Sequence, residues 1–263
     1  MGHYTTKALE TIPLHLRVRV KEALARAAGL PWDELARLDV ERVGRPDLDA
    51  SALAILERVE RYTLTPPDRV AALCGAIDYL VDREIPGDVV ECGVWKGGSL
   101  MACALRLRDR GATDRRLLGF DTFAGMTDPT EEDVDFRGIQ QQPEDKGSQM
   151  RVDAGLEDVT ENLRSTGYPM ERVRLVKGDV RETIPAQAPE QIALLRLDTD
   201  WYESTRHELE HLFPRLAVGG VLLIDDYGHY RGSKKATDEY LRDKRIFLQR
   251  VDYAARLGVK QSG

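Results

Sequence analysis

The chain is short of everything that would tie it to a membrane, a nucleic acid or an oxidising compartment. Its longest aliphatic runs, such as Val221-Leu222-Leu223-Ile224, fall far below the ~20 apolar residues that cross a bilayer. It has no dense Lys/Arg tract: 38 Lys and Arg face 45 Asp and Glu for a net charge of −7, which argues against a partner gripped by its phosphate backbone. Only three cysteines are present, Cys74, Cys92 and Cys103. They form neither a CxxC pair nor an even disulfide framework, so free buried thiols in a reducing interior suit them. The N-terminal Met1-Gly2-His3-Tyr4-Thr5-Thr6 lacks the apolar core of a signal peptide. Gly2 and Thr6 do fit the loose myristoylation pattern, but nothing basic follows immediately to support an anchor. These absences predict a cytoplasmic protein with no nucleic-acid partner and no membrane partner. Internal repeats and low-complexity tracts are absent too.

What is there is a chain of 263 residues, 42% hydrophobic and 32% charged, long enough to bury a core without staples. Residues 1–67 carry helical spacing: Leu16, Val20, Leu24 and Ala27-Ala28, then Leu53, Leu56 and Val59, closed by Thr65-Pro66-Pro67. They read as a helical extension that covers a site or packs between the subunits of a homo-oligomer. Residues 68–263 change to short β-rich runs alternating with helix-length segments, the mark of a doubly wound, mostly parallel α/β sheet. Strands are predicted near 88–93, 116–121, 172–177, 191–198 and 219–226. A helix near 232–243 and two further strands, 245–251 and 255–260, follow, and so short a connection suits an antiparallel pair at the sheet edge. Residues 122–150 lack periodicity over a length that is usually functional, and a lid is expected there.

The first strand runs into Cys92-Gly93-Val94-Trp95-Lys96-Gly97-Gly98-Ser99. Glycines after a parallel strand let a ligand approach the backbone, and the following helix offers free N–H groups. The spacing is neither G-x-G-x-x-G nor that of a P-loop. Asp121, ending the second strand, is where doubly wound folds place an acceptor for ribose hydroxyls. Asp179, after the third, either accepts from an exocyclic amine or caps the next helix.

The fourth and fifth strands end in Asp198-Thr199-Asp200 and Asp225-Asp226-Tyr227. Carboxylates gathered at the ends of buried strands resist ionisation unless something positive compensates. If the strands are neighbours, about 5 Å apart, Asp198, Asp225 and Asp226 could bind one hard cation, and all-oxygen donors favour Mg²⁺, Ca²⁺ or Mn²⁺ over zinc. A competing motif is His207-Glu208-Leu209-Glu210-His211, an H-E-x-x-H that would present two imidazoles to zinc on one helix face. Charged Arg206 and Glu210 and the lack of an obvious third ligand point instead to a solvated helix face.

Four phrases, GDVVECGVWKGGS at 87–99, GFDTFAGM at 119–126, LLRLDTDWYEST at 194–205 and PRLAVGGVLLIDDY at 214–227, resemble the macrocin O-methyltransferase family across roughly residues 70–245. The resemblance implies a seven-stranded Rossmann-like methyltransferase sheet, S-adenosylmethionine and Mg²⁺ as cofactors, and a small-molecule glycoside whose deoxysugar hydroxyl is methylated. It implies that Glu91, Gly93 and Ser99 lie around the methionine part of the cofactor, Asp121 at the ribose and Asp179 near the adenine. It also implies that Asp198, Asp225 and Asp226 hold the metal. A hydroxyl needs a base, and Asp200, then His229, are the candidates. A metal-dependent catechol-type O-methyltransferase needs the same cofactor and similar vicinal oxygens, and Trp95, Trp201 and Tyr202 do not decide between the two.

Overall fold

The computed structural model describes residues 47–142 and 154–261. The expected helices before residue 47 lie outside the described residues, as do residues 143–150 of the expected lid. The compact unit that carries the sheet runs from Ala50 to Gly263.

Two helices open it, α1 (Ala50–Val59) and α2 (Pro67–Asp82), the second beginning on a proline whose fixed φ and missing N–H suit a first helical turn. Then follow β1 (Asp88–Cys92), α3 (Gly98–Asp109), β2 (Leu117–Asp121), α4 (Leu156–Arg164), β3 (Val173–Lys177), the single-turn α5 (Val180–Thr183) and β4 (Ile192–Leu197). The chain closes with α6 (Tyr202–Leu212), β5 (Leu216–Ile224), α7 (Arg231–Leu241), β6 (Ile246–Arg250) and β7 (Arg256–Lys260). The seven strands lie in the order β3-β2-β1-β4-β5-β7-β6. β1 to β5 are parallel, whereas β7 runs antiparallel to both β5 and β6. This is the doubly wound sheet with an antiparallel edge that the strand spacing predicts.

Alternation along the strands splits the core into two layers. Val89, Leu117, Val221 and Leu223 pack on one face under α1 to α4. Val90, Leu118, Leu195, Leu197, Leu222 and Ile224 pack on the other with α5, α6 and α7. Most strand bounds match expectation within a residue. β5 is the exception, starting at Leu216 and ending at Ile224, so Asp225 and Asp226 leave the ladder. The order reverses between β1 and β4, and in such sheets the crevice outside the carboxyl ends at that reversal is where ligands bind.

Candidate active site

The register aligns Cys92 with Leu197 and Leu197 with Ile224. The next residues, Gly93, Asp198 and Asp225, therefore form a row at the carboxyl ends. Asp198 N–H donates to Cys92 O, and Asp225 N–H to Leu197 O, each at 2.9 Å. Gly93 has φ +81, and a Cβ there would stand 2.0 Å from the Asp198 carbonyl oxygen; any side chain would force the two strand ends apart. The turn then passes Gly97 at φ +89 into α3. Ser99 lies in the first turn of α3, with its Oγ 3.3 Å from Thr65 Oγ1.

Asp121 fixes this turn from the neighbouring strand. Its Oδ2 accepts from Val94 N at 2.6 Å and Trp95 N at 3.0 Å, and its Oδ1 from Phe123 N at 2.7 Å. Asp179 caps α5 through Arg181 N at 2.8 Å and pairs with the Arg181 guanidinium at 2.6 Å. Both carboxylates also line a cavity of about 440 Å³, together with Gly93, Ser99, Asp198, Asp200, Asp225, Asp226 and His229. The described part of the 122–150 segment is one wall of it: Thr127 O accepts from Trp201 Nε1 at 2.8 Å, and Asp133 Oδ1 accepts from Tyr202 N at 2.7 Å.

Beneath the cavity is an ion cluster centred on Arg196. Strand register sets Glu91 opposite Arg196, on the face away from Leu195 and Leu197, so the two side chains meet. Arg196, 2% exposed, reaches Glu91 Oε1 at 2.5 Å, Asp198 Oδ2 at 2.7 Å and Asp225 Oδ1 at 2.7 Å. Burial alone would lower its pKa; Asp198, Asp225 and Glu91 outweigh that and raise it. Burial pushes the Glu91 carboxyl up to about 7 against the pull of Arg196. From α2, Arg69 adds a pair with the second Asp225 oxygen and another with Asp252 at 2.6 Å. Glu91, expected around the cofactor, thus stands under the cavity and not in its lining.

The acids above this cluster are divided differently from the sequence expectation. Asp225 gives both oxygens to arginines. The carboxylates that face one another are Asp198, Asp200 and Asp226, each with an oxygen within 4.8 Å of the others. Asp200 holds a left-handed backbone, φ +69, which turns it back toward Asp226. Burial pushes Asp200 up to about 7, and it raises Asp226 well above the carboxylate range, with the charges of Asp200 and Asp225 adding to the effect. Their carboxylates lie close together, while Asp226 Oδ2 is buried with no hydrogen-bond partner. Six carboxylates against two guanidinium groups line the cavity, an excess of negative charge that a bound cation would offset.

The family model of macrocin-O-methyltransferase (TylF) matches residues 49–257. The chain belongs to the macrocin O-methyltransferase family. It is 34% identical over 184 residues to the 8-demethyl-8-(2,3-dimethoxy-alpha-L-rhamnosyl)-tetracenomycin-C 4'-O-methyltransferase of Streptomyces olivaceus, covering 70% of this chain and 69% of that one. It is 31% identical over 179 residues to the demethyldecarbamoylnovobiocin O-methyltransferase of Streptomyces niveus, covering 68% and 67%. Among solved structures, the O-methyltransferase NovP superposes with a TM-score of 0.67 at 27% identity, over 76% of this chain and 83% of that one. The protein is an O-methyltransferase, and its fold is that of the enzymes that take S-adenosylmethionine as methyl donor. The glycine turn, Asp121 and the acid-lined cavity suit that cationic sulfonium.

Membership of this family disposes of the H-E-x-x-H motif. His207 Nε2 lies 2.9 Å from Ile184 O and its ring 4.4 Å from that of His211, and neither belongs to a candidate metal cluster among the described residues. Glu208 corrects the expectation of a solvated face: it is wholly buried, pointing under the Asp198–Asp200 loop. His229 lines the cavity with Nδ1 3.1 Å from Tyr253 Oη, and burial, aided by Arg137 and Arg69, lowers its pKa so that it is neutral. Arg196 and Arg69 were not anticipated. A charged residue inside Leu194-Leu195-Arg196-Leu197 is itself a signal, because a buried guanidinium requires acids around it; Arg69, on a helix beside Asp68, carries none. Cys74, Cys92 and Cys103 are buried and form no disulfide among the described residues, and among those residues no helix is long and apolar enough to cross a membrane.

Proposed function

We propose that this enzyme methylates a hydroxyl of a deoxysugar carried by a glycosylated natural product, assisted by Mg²⁺ held at the ends of β4 and β5. The observation that carries the reading is the convergence of Asp198, Asp200 and Asp226 within 4.8 Å, in the same cavity as the glycine turn and Asp121. The relatives named above, whose substrates include a rhamnosyl tetracenomycin, support the sugar.

In this reading the Gly93 turn and Ser99 receive the methionine part of the cofactor, Asp121 the ribose and Asp179 the edge of the adenine. Glu91 and Arg196 hold that floor from below. Asp198 and Asp226, with Asp200 as third donor, hold the cation; the buried Asp226 oxygen without a partner and the all-carboxylate set fit a hard metal. Bound there, Mg²⁺ would lower the pKa of a sugar hydroxyl and orient its vicinal neighbour. With Asp200 so engaged, His229 is the base: a neutral imidazole in the cavity wall, fixed by Tyr253, takes the hydroxyl proton. The remaining rate enhancement comes from in-line placement in a cavity closed by the 122–142 wall. Three buried cysteines with no disulfide between them support a cytoplasmic enzyme.

Calorimetric titration with S-adenosylmethionine, with and without Mg²⁺, followed by a mass-spectrometric screen of deoxysugar glycosides, tests the reading. Micromolar cofactor binding and Mg²⁺-dependent gain of one methyl group on a sugar are expected. Methylation of simple catechols with no glycoside turnover would overturn the sugar assignment.

A further inference from the structure

Glu208 is used by nothing described so far, yet it lies at the centre of the site's foundations. It projects inward from α6 and is fully buried. Among the described residues no cation pairs with it: its Oε1 accepts from Thr199 Oγ1 at 2.9 Å, its carboxyl neighbours the buried Cys92 side chain, and its Oε2 has no hydrogen-bond partner. A buried acid in that setting stays protonated, here up to about 8, and a lone buried carboxyl is costly to retain. Its two partners are informative. Thr199 is the residue between Asp198 and Asp200. Cys92 is the last residue of β1 and precedes Gly93. Glu208 is thus hydrogen-bonded to the loop that carries two of the three clustered carboxylates and neighbours the strand end that carries the glycine turn.

We propose that Glu208 is a positioning residue, a buried tether that holds Thr199 against the end of β1 and thereby sets the spacing of Asp198 and Asp200. Its side chain does not line the cavity. Its hydrogen bond immobilises the loop in which Asp200 keeps its left-handed backbone, a conformation that an L-residue adopts only when its surroundings impose it. Ser204 assists from the same helix, its Oγ donating to Thr199 O at 3.3 Å. The proposal rests on the cation reading above, and its test separates the two.

The variants are Glu208→Leu, which keeps volume and removes the acceptor; Glu208→Gln, which keeps a neutral acceptor; Thr199→Val, which removes the donor; and the Glu208→Leu/Thr199→Val double. In full-length enzyme, Mg²⁺ affinity and S-adenosylmethionine affinity are measured by calorimetry and kcat with a glycoside acceptor. Glu208→Leu and Thr199→Val should each weaken Mg²⁺ binding and kcat about tenfold, the loss of one buried hydrogen bond. Cofactor affinity should move by less than about twofold. Glu208→Gln should restore both quantities, and the double variant should be no worse than either single one, because both remove the same bond. Wild-type Mg²⁺ affinity in Glu208→Leu, equal damage in Glu208→Gln, or additive losses in the double would overturn the tether. If Glu208→Leu does not fold, Thr199→Val and Glu208→Gln still decide. A wild-type enzyme that binds no cation would defeat the cation reading instead, and the same coupling read in kcat would then judge the tether.

Discussion

Arg196 and Asp225 are joined at 2.7 Å with both side chains at or below 5% exposure, while the same guanidinium reaches Glu91 at 2.5 Å. A buried cation shared by several acids contributes little net stability as a set, but removing it leaves the acids unpaired in a low dielectric. Arg196→Leu should therefore cost about 3–5 kcal/mol, on the order of 10 °C in Tm. Arg196→Lys should recover only part of this, since an ammonium cannot make the forked contacts. Thermal and urea unfolding read the effect; a Tm within a degree of wild type would show that the cluster carries no such weight.

Gly93→Ala tests the approach of β1 to β4. The added methyl would meet the Asp198 carbonyl oxygen at 2.0 Å, at φ +81, so the backbone must move. A stability loss of about 1–3 kcal/mol is expected, together with a fall of roughly tenfold or more in cofactor affinity, because the turn and Asp198 shift together. Ala102→Gly in the buried middle of α3 is the control: it should cost about 1 kcal/mol and leave calorimetric cofactor affinity unchanged. Equal cofactor affinity in Gly93→Ala would show that the turn does not contact it.

The elements were legible because the central strands β1, β2, β4 and β5 are short apolar runs ending at Gly or Asp, as buried parallel strands do. β5 begins earlier than expected because Leu216 already pairs with Ile192 before the irregularity that holds Gly219-Gly220, and glycines in a sequence read as the start of a strand. The acids were legible as a cluster, since four carboxylates at the ends of buried strands call for positive charge beside them. Which of them face one another and which face arginines was not, because that depends on Arg69 arriving from a distant helix. The burial of Glu208 was hidden by its neighbours Arg206, His207 and Glu210, which read as an exposed face although only one side of the helix is solvated.

The division of acids predicts how cation linkage responds to single changes. Mg²⁺ should raise the Tm of the wild-type enzyme, because a ligand bound only by the native state stabilises it. Asp226→Asn and Asp200→Asn should abolish that rise. Asp225→Asn should keep the rise while lowering the metal-free baseline by about 1–3 kcal/mol, since Arg69 and Arg196 each lose a partner. The reverse pattern, linkage kept in Asp200→Asn and lost in Asp225→Asn, would return the site to the set Asp198, Asp225 and Asp226.

Glu208 also predicts a pH dependence of stability. Burial pushes its carboxyl from 4.5 up to about 8, so between those pH values the native state holds a proton that the unfolded chain has released. Stability must then fall as pH rises through that window. The native form with neutral Glu208 is fully favoured below about pH 4.5, the advantage erodes toward pH 8, and the slope flattens once the native carboxyl ionises as well. Its size is on the order of a few kcal/mol. Glu208→Gln cannot titrate, so the difference in unfolding free energy between it and wild type should shift toward the variant as pH increases from 5 to 8. Urea denaturation of both proteins across that range in the presence of a chelator measures it, and parallel curves would mean that Glu208 is ionised in the native enzyme throughout.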